Sequence, residues 1–204
     1  MIDRIRALSA ALLLTLLLSP AAMADEAQDQ QVEIGVKAYD DGDYPRAKDI
    51  LLPLAEAGHP KAMNMVGLMH SKGKGYSKHR QVACDWYERS AETGYISGIY
   101  NLSLCYHLGE GRANDPKLGW ALTERAAQLG HIGAQGDIAG RYVDTERDLY
   151  LFWAKKAATS GNARAKVLMW LKGDGEYVPD HTFIEIVCVV VKIAWMDDRY
   201  DACD

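Results

Sequence analysis

The chain has 204 residues, 49% of them hydrophobic, with 23 lysines and arginines against 28 aspartates and glutamates, for a formal charge of −5. That length suits one domain or one short repeat array with a buried core. The acidic balance argues against nucleic acid and anionic lipid as partners.

The first element is Arg4 and Arg6, the apolar run from Ala7 to Leu18, a break at Ser19-Pro20, and Ala22-Met23-Ala24 before Asp25. This order predicts a secretory signal peptide over residues 1–24, cut after Ala24. The apolar run is shorter than the ~20 residues of a membrane span, and Asp25 is no lipid acceptor, so no membrane insertion is expected after cleavage. A periplasmic or secreted location follows. Cys84, Cys105, Cys188 and Cys203 all survive the cut, and an even count in an oxidising compartment favours disulfides over metal binding.

A repeat governs the next 140 or so residues. Four segments of the form Ala-x-x-Gly end at Gly58, Gly94, Gly130 and Gly161, separated by 36, 36 and 31 residues. Eight positions before these glycines stand Ile50, Trp86, Leu122 and Trp153; four positions after them stand Ala62, Gly98, Ala134 and Ala165. Large residues at one register and small ones at another are what two helices need when one inserts a side chain where the other lets the backbones approach. The predicted units are an N-terminal helical hairpin over 25–58, repeats over 59–94 and 95–130, a shortened repeat over 131–161, and a partial repeat with a cap and tail over 162–204.

Each unit reads as helix, bend, helix. In the third copy the first helix is predicted over Ile96 to Leu108; Asp115 is then an N-cap, Pro116 opens the second helix and Gly130 closes it. Gly73 and Gly75, and Gly109 and Gly111, fall in the bends, where positive φ is needed. Lys72 and Lys74 beside the first pair do not make a phosphate loop: Gly67 and Gly73 are one residue too far apart, Lys74 is followed by Gly75, and no strand precedes them.

These residues resemble the Sel1-like repeat, a relative of the tetratricopeptide repeat. The second copy carries the pattern as Ala62, Val66-Gly67, His70 in place of Tyr, Gly73 and Gly75, Ala83, Trp86-Tyr87, Ala91 and Gly94. The third carries Gly98, Leu102-Ser103, Tyr106, Gly109 and Gly111, Gly119, Leu122-Thr123, Ala127 and Gly130. The fourth keeps Ala134, Tyr142, Trp153, Ala158 and Gly161 and lacks the glycine bend. The resemblance implies an all-α fold, an α/α solenoid of antiparallel helix pairs, and a non-catalytic scaffold, many relatives in bacteria being exported. Such arrays leave a curved face free for a protein partner.

Cys84 lies ten residues before Gly94 and Cys105 ten after Tyr95, so in an antiparallel pair the two thiols fall at one height and a Cys84–Cys105 bridge is expected. Beyond Pro179 the positions His181, Glu185, Cys188 and Lys192 share one face of a helix, which predicts a capping helix, with Cys188 meeting Cys203 by elimination. The six histidines lack zinc spacing, the aspartates of residues 38–48 lack a calcium-loop pattern, and the glycosylation triplet Asn101-Leu102-Ser103 sits inside a predicted helix. No catalytic residues, metal ligands or cofactor are expected.

If one face is functional it is the concave one. Ala62, Val66 and His70 mark the buried stripe, which leaves Asn64, Leu68 and Ser71, and one period later Tyr100, Leu104 and His107, for partner binding. Packing between repeats is the competing use of the same residues. The expected function is a periplasmic adaptor, with an immunity protein against an exported toxin as the alternative and a cell-wall enzyme as the least favoured reading.

Overall fold

The computed structural model describes residues 20–173. The expected cap over His181 to Met196 and the Cys188–Cys203 bridge lie outside the described residues, as does most of the expected signal peptide. The expected cut after Ala24 falls within the first described helix.

The described residues form nine α-helices and no strands. These are α1 (Pro20–Asp40), α2 (Tyr44–Glu56), α3 (Pro60–Lys72), α4 (Arg80–Glu92), α5 (Ile96–Leu108), α6 (Pro116–Gln128), α7 (Ile132–Tyr142), α8 (Arg147–Thr159) and α9 (Ala163–Leu171). They fall into two compact units that divide between Asn114 and Asp115, inside the third repeat. In the first unit each helix packs on the next, and α3 also touches α1 and α5. In the second unit α6 to α9 pack in sequence and α7 touches α9. Short connections between consecutive packed helices make antiparallel pairs, and contacts between alternate helices stack one pair on the next. The architecture is an α/α solenoid.

Capping chemistry sets where the helices start. The residue that follows each closing glycine is His59, Tyr95, His131 or Asn162. The Nδ1 atoms of His59 and His131 accept from the Ala62 and Ala134 amides at 3.4 and 3.1 Å. Asn162 Oδ1 accepts from the Ala165 amide at 2.9 Å. Tyr95 makes no such bond. The same service comes from His79 to Val82 and from Asp115 to Leu118 at the second helices. Each bond satisfies one of the amides that the first helical turn leaves without a backbone partner.

Small residues set how closely the helices approach. Ala62, Ala134 and Ala165 are buried at the register four past the glycine, as are Ala47, Ala83 and Tyr150 eleven before it. Around Ala47, Leu51, Ala62, Val66 and Met69 the first unit builds its core, with Val32 and Ala38 added from α1. A Cβ on Gly67 would sit 2.7 Å from the Tyr87 ring, so the Gly67 position exists to seat that ring.

The two glycines of a bend do different jobs. Gly73 and Gly109 are left-handed C-caps of α3 and α5. Gly75 and Gly111, with φ of 78° and 85°, press against the start of the preceding second helix. A Cβ on Gly75 would meet the Tyr44 carbonyl oxygen at 3.1 Å, and one on Gly111 would lie 2.5 Å from the Arg80 carbonyl carbon and oxygen. Gly94 has the same φ of 85° with open space around it. Gly94→Ala should therefore cost only the left-handed penalty of about 1–2 kcal/mol. Gly111→Ala should cost at least about 2 kcal/mol beyond that from overpacking, read as the difference between their urea midpoints; equal losses would show that φ alone matters.

Burial pushes the His131 imidazole below its ordinary pKa of 6.5, against the opposing pull of Asp137. The unfolded chain takes up this proton at about 6.5, the folded chain only at lower pH, so in that interval the unfolded state holds more protons. Stability is then complete above pH 6.5 and drains as pH falls through the folded value. His131→Asn keeps a cap acceptor, as Asn162 shows, and removes the titration. It should flatten the decline in urea midpoint between about pH 7.5 and pH 5; an unchanged slope would clear His131 of any part in it.

Candidate functional site

A groove of about 290 Å³ lies in the first unit among α3, α4, α5 and the bend after α5. Leu68, Leu104 and Leu108 supply its apolar walls, and Lys72, Arg80 and Glu110 its charge. Leu108, 62% exposed, is an outward-facing apolar residue.

Apart from Lys72, the polar side chains of the groove are braced by one another or by adjoining residues. Arg80 Nε stands 3.1 Å from Glu110 Oε2, and Arg80 Nη1 donates to Ser71 Oγ at 3.1 Å. Asn101 Nδ2 donates to Asn64 Oδ1 at 2.8 Å, joining α5 to α3. Arg112 reaches Asp85 and Glu88 at 2.7 Å each. Burial works against the Arg112 charge, and hydrogen bonds to Asp85 and Glu88 outweigh it, so its pKa rises. The Tyr87 phenol is pushed up to about 12 by burial, with Ser71 and Arg80 opposing, so it stays protonated at neutral pH. Among the described residues no three of His, Cys, Asp and Glu come together as metal ligands.

Cys84 of α4 and Cys105 of α5 form a disulfide at the back of this groove, with Cα atoms 6.1 Å apart. Cys84 Sγ also lies 3.2 Å from the Glu110 carbonyl oxygen, so the bridge sits directly behind the bend.

Of the six residues expected to bind a partner, Leu68, Ser71 and Leu104 line the groove. Tyr100 and His107 are half-buried on α5 and do not line it. Asn64 and Ser71 differ from the exposed stripe expected of them: both are buried. The reason is that α3 has helices on several sides, α1, α2, α4 and α5, and so buries more than one stripe. Arg80, Asn101, Leu108 and Glu110 were missed, because only the close approach at Gly111 brings the bend back onto the start of α4. Asn101, notable in sequence for its glycosylation triplet, holds Asn64 instead.

The Sel1 repeat family model matches residues 60–95, 96–131 and 151–162. The chain carries Sel1 repeats. Two Sel1 matches span full 36-residue periods, while in the fourth copy, which lacks the glycine bend, the match is confined to residues 151–162, most of the second helix and its closing turn. A Sel1 repeat protein from Oxalobacter formigenes has a similar structure, with a TM-score of 0.63 at 24% identity over 76% of this chain and 65% of the other. A protective antigen present in uropathogenic Escherichia coli strains, displaying an SLR fold, gives the same score and identity over 76% of this chain and 37% of its own. This chain thus spans less than two thirds of either protein. No curated protein matches it.

Replacing both Cys84 and Cys105 by Ala opens the loop between them, whose ends are 21 residues apart. The chain-entropy model gives about 3 kcal/mol for a loop of that size. The double variant should unfold at lower urea by that amount and be indifferent to reducing agent; a wild type equally indifferent to reduction would show that the bridge adds no stability.

Proposed function

We propose that the chain is an exported, non-catalytic Sel1-repeat scaffold that captures a protein partner at the groove between α3 and α5. The observation that carries this reading is the apolar wall made by the half-buried Leu68 and Leu104 and the exposed Leu108, set on a braced frame. A small apolar centre held in place by fixed polar neighbours is the anatomy of a recognition patch, since little side-chain freedom is lost on binding. Apart from Lys72, the groove's polar groups are engaged by neighbouring side chains, and its buried phenol is held protonated, so they are arranged as supports rather than as an acid and base awaiting substrate. The sequence of residues 1–24 supports export to the periplasm or beyond.

A photo-crosslinking residue placed at Leu108 in the native host should yield a discrete protein adduct in the periplasmic fraction, on a chain that begins at Asp25. The same residue at the exposed Glu92 should give none. Leu104→Arg should suppress the Leu108 adduct with the helical circular dichroism intact. Adducts of equal yield from both positions, or one indifferent to Leu104→Arg, would remove the groove from partner binding.

A further inference from the structure

The groove opens onto the most basic stretch of an acidic chain. From Lys72 to Arg80 the sequence holds Lys72, Lys74, Lys78 and Arg80 and no carboxylate, although the chain as a whole has a net charge of −5. Lys72 and Arg80 line the groove itself. Lys78 lies close to the same turn: its Cβ is 3.2 Å from the place a Cβ on Gly73 would occupy, and Gly73 directly follows Lys72.

Structural uses account for part of this charge. Arg80 pairs with Glu110, and Lys74 lies over the Tyr39 and Tyr44 rings at 5.1 Å from each. The nearby carboxylates of Asp85 and Glu88 are taken by Arg112. Lys72 and Lys78 are left over, both exposed and neither in an ion pair among the described residues. Lys72 in the last turn of α3 suits the negative end of the helix. Lys78, in the bend, has no such duty.

Apolar walls beside the spare Lys72, with Lys78 in the bend that follows it, define an occupant. A space near 290 Å³ is at the small end for a whole ligand and is ample for one large side chain with its flanking backbone. We infer that the groove receives an extended acidic peptide segment of the partner, one aliphatic or aromatic side chain entering between Leu68, Leu104 and Leu108 while carboxylates on either side meet Lys72 and Lys78. This rests on the scaffold reading above and adds the chemistry of what is captured. Complementary charge at the rim sets orientation and encounter rate, and the buried side chain sets how long the complex lasts.

The test uses three fluorescein-labelled peptides titrated by anisotropy into the mature protein: a leucine flanked on each side by two glutamates, the same leucine flanked by lysines, and an alanine flanked by glutamates. The first should bind at least about tenfold tighter than the other two, and more weakly as salt rises. Charge reversal as K72E with K78E should weaken it about tenfold or more, and the milder K72Q with K78Q should show the same trend should the reversal disturb folding. Leu108→Ala should erase the preference for leucine over alanine. The lysine peptide binding as well as the acidic one, or affinity untouched by the Lys72 and Lys78 variants, would overturn the inference. So would an RNA oligonucleotide of equal charge competing as effectively as the acidic peptide. The two readings fail separately: a Leu108 adduct in the host that survives K72E with K78E keeps the scaffold and discards the acidic segment, whereas acidic-peptide binding without any host adduct does the reverse.

Discussion

A methyl group at position 111 would lie 2.5 Å from the peptide carbon of Arg80, and one at position 75 would crowd the backbone of Tyr44. Both glycines lie in bends, and both lean on the first residue of the helix that opens the neighbouring hairpin half. Backbone-to-backbone contact of this kind fixes the spacing of the helices more firmly than side-chain packing could, because no rotamer change relieves a clash with a peptide carbon. Everything along the first unit inherits that spacing: the seat of Tyr87 against Gly67, the Ser90 hydroxyl on the Pro60 carbonyl at 2.9 Å, and the height at which Cys84 faces Cys105.

The groove is a by-product of the same spacing. With Gly111 pressed on Arg80, the bend carries Glu110 over the start of α4, where its carboxylate meets the guanidinium. The side of α3 that faces α5 is then closed by the Asn64–Asn101 bond below and left open above, between Leu68 and Leu104. The apolar walls of the groove are helix faces, and Cys84 and Cys105 in its lining are covalently tied.

Most of the architecture could be read from the residues. The helix over Ile96–Leu108, its glycine cap, the Asp115 cap and the opening Pro116 all follow from local chemistry that tertiary structure does not override. The facing cysteines were legible too, because equal distances from a turn place two residues at equal heights in an antiparallel pair. The site was less legible. Asn64 and Ser71 look solvent-facing when one buried stripe is assumed for α3, and a helix enclosed by several neighbours has no single stripe. The Arg80–Glu110 pair, 30 positions apart in sequence, has no spacing signal at all.

In a stacked array each hairpin leans chiefly on its neighbours, so disorder starts at an end and travels inward one hairpin at a time. The Cys84–Cys105 bond stitches the second repeat to the third across the turn that separates them. An unravelling front that reaches this seam meets a covalent knot, and α4 and α5 must let go together. The stitched helices also frame the groove, which would leave it among the last parts of its unit to come undone.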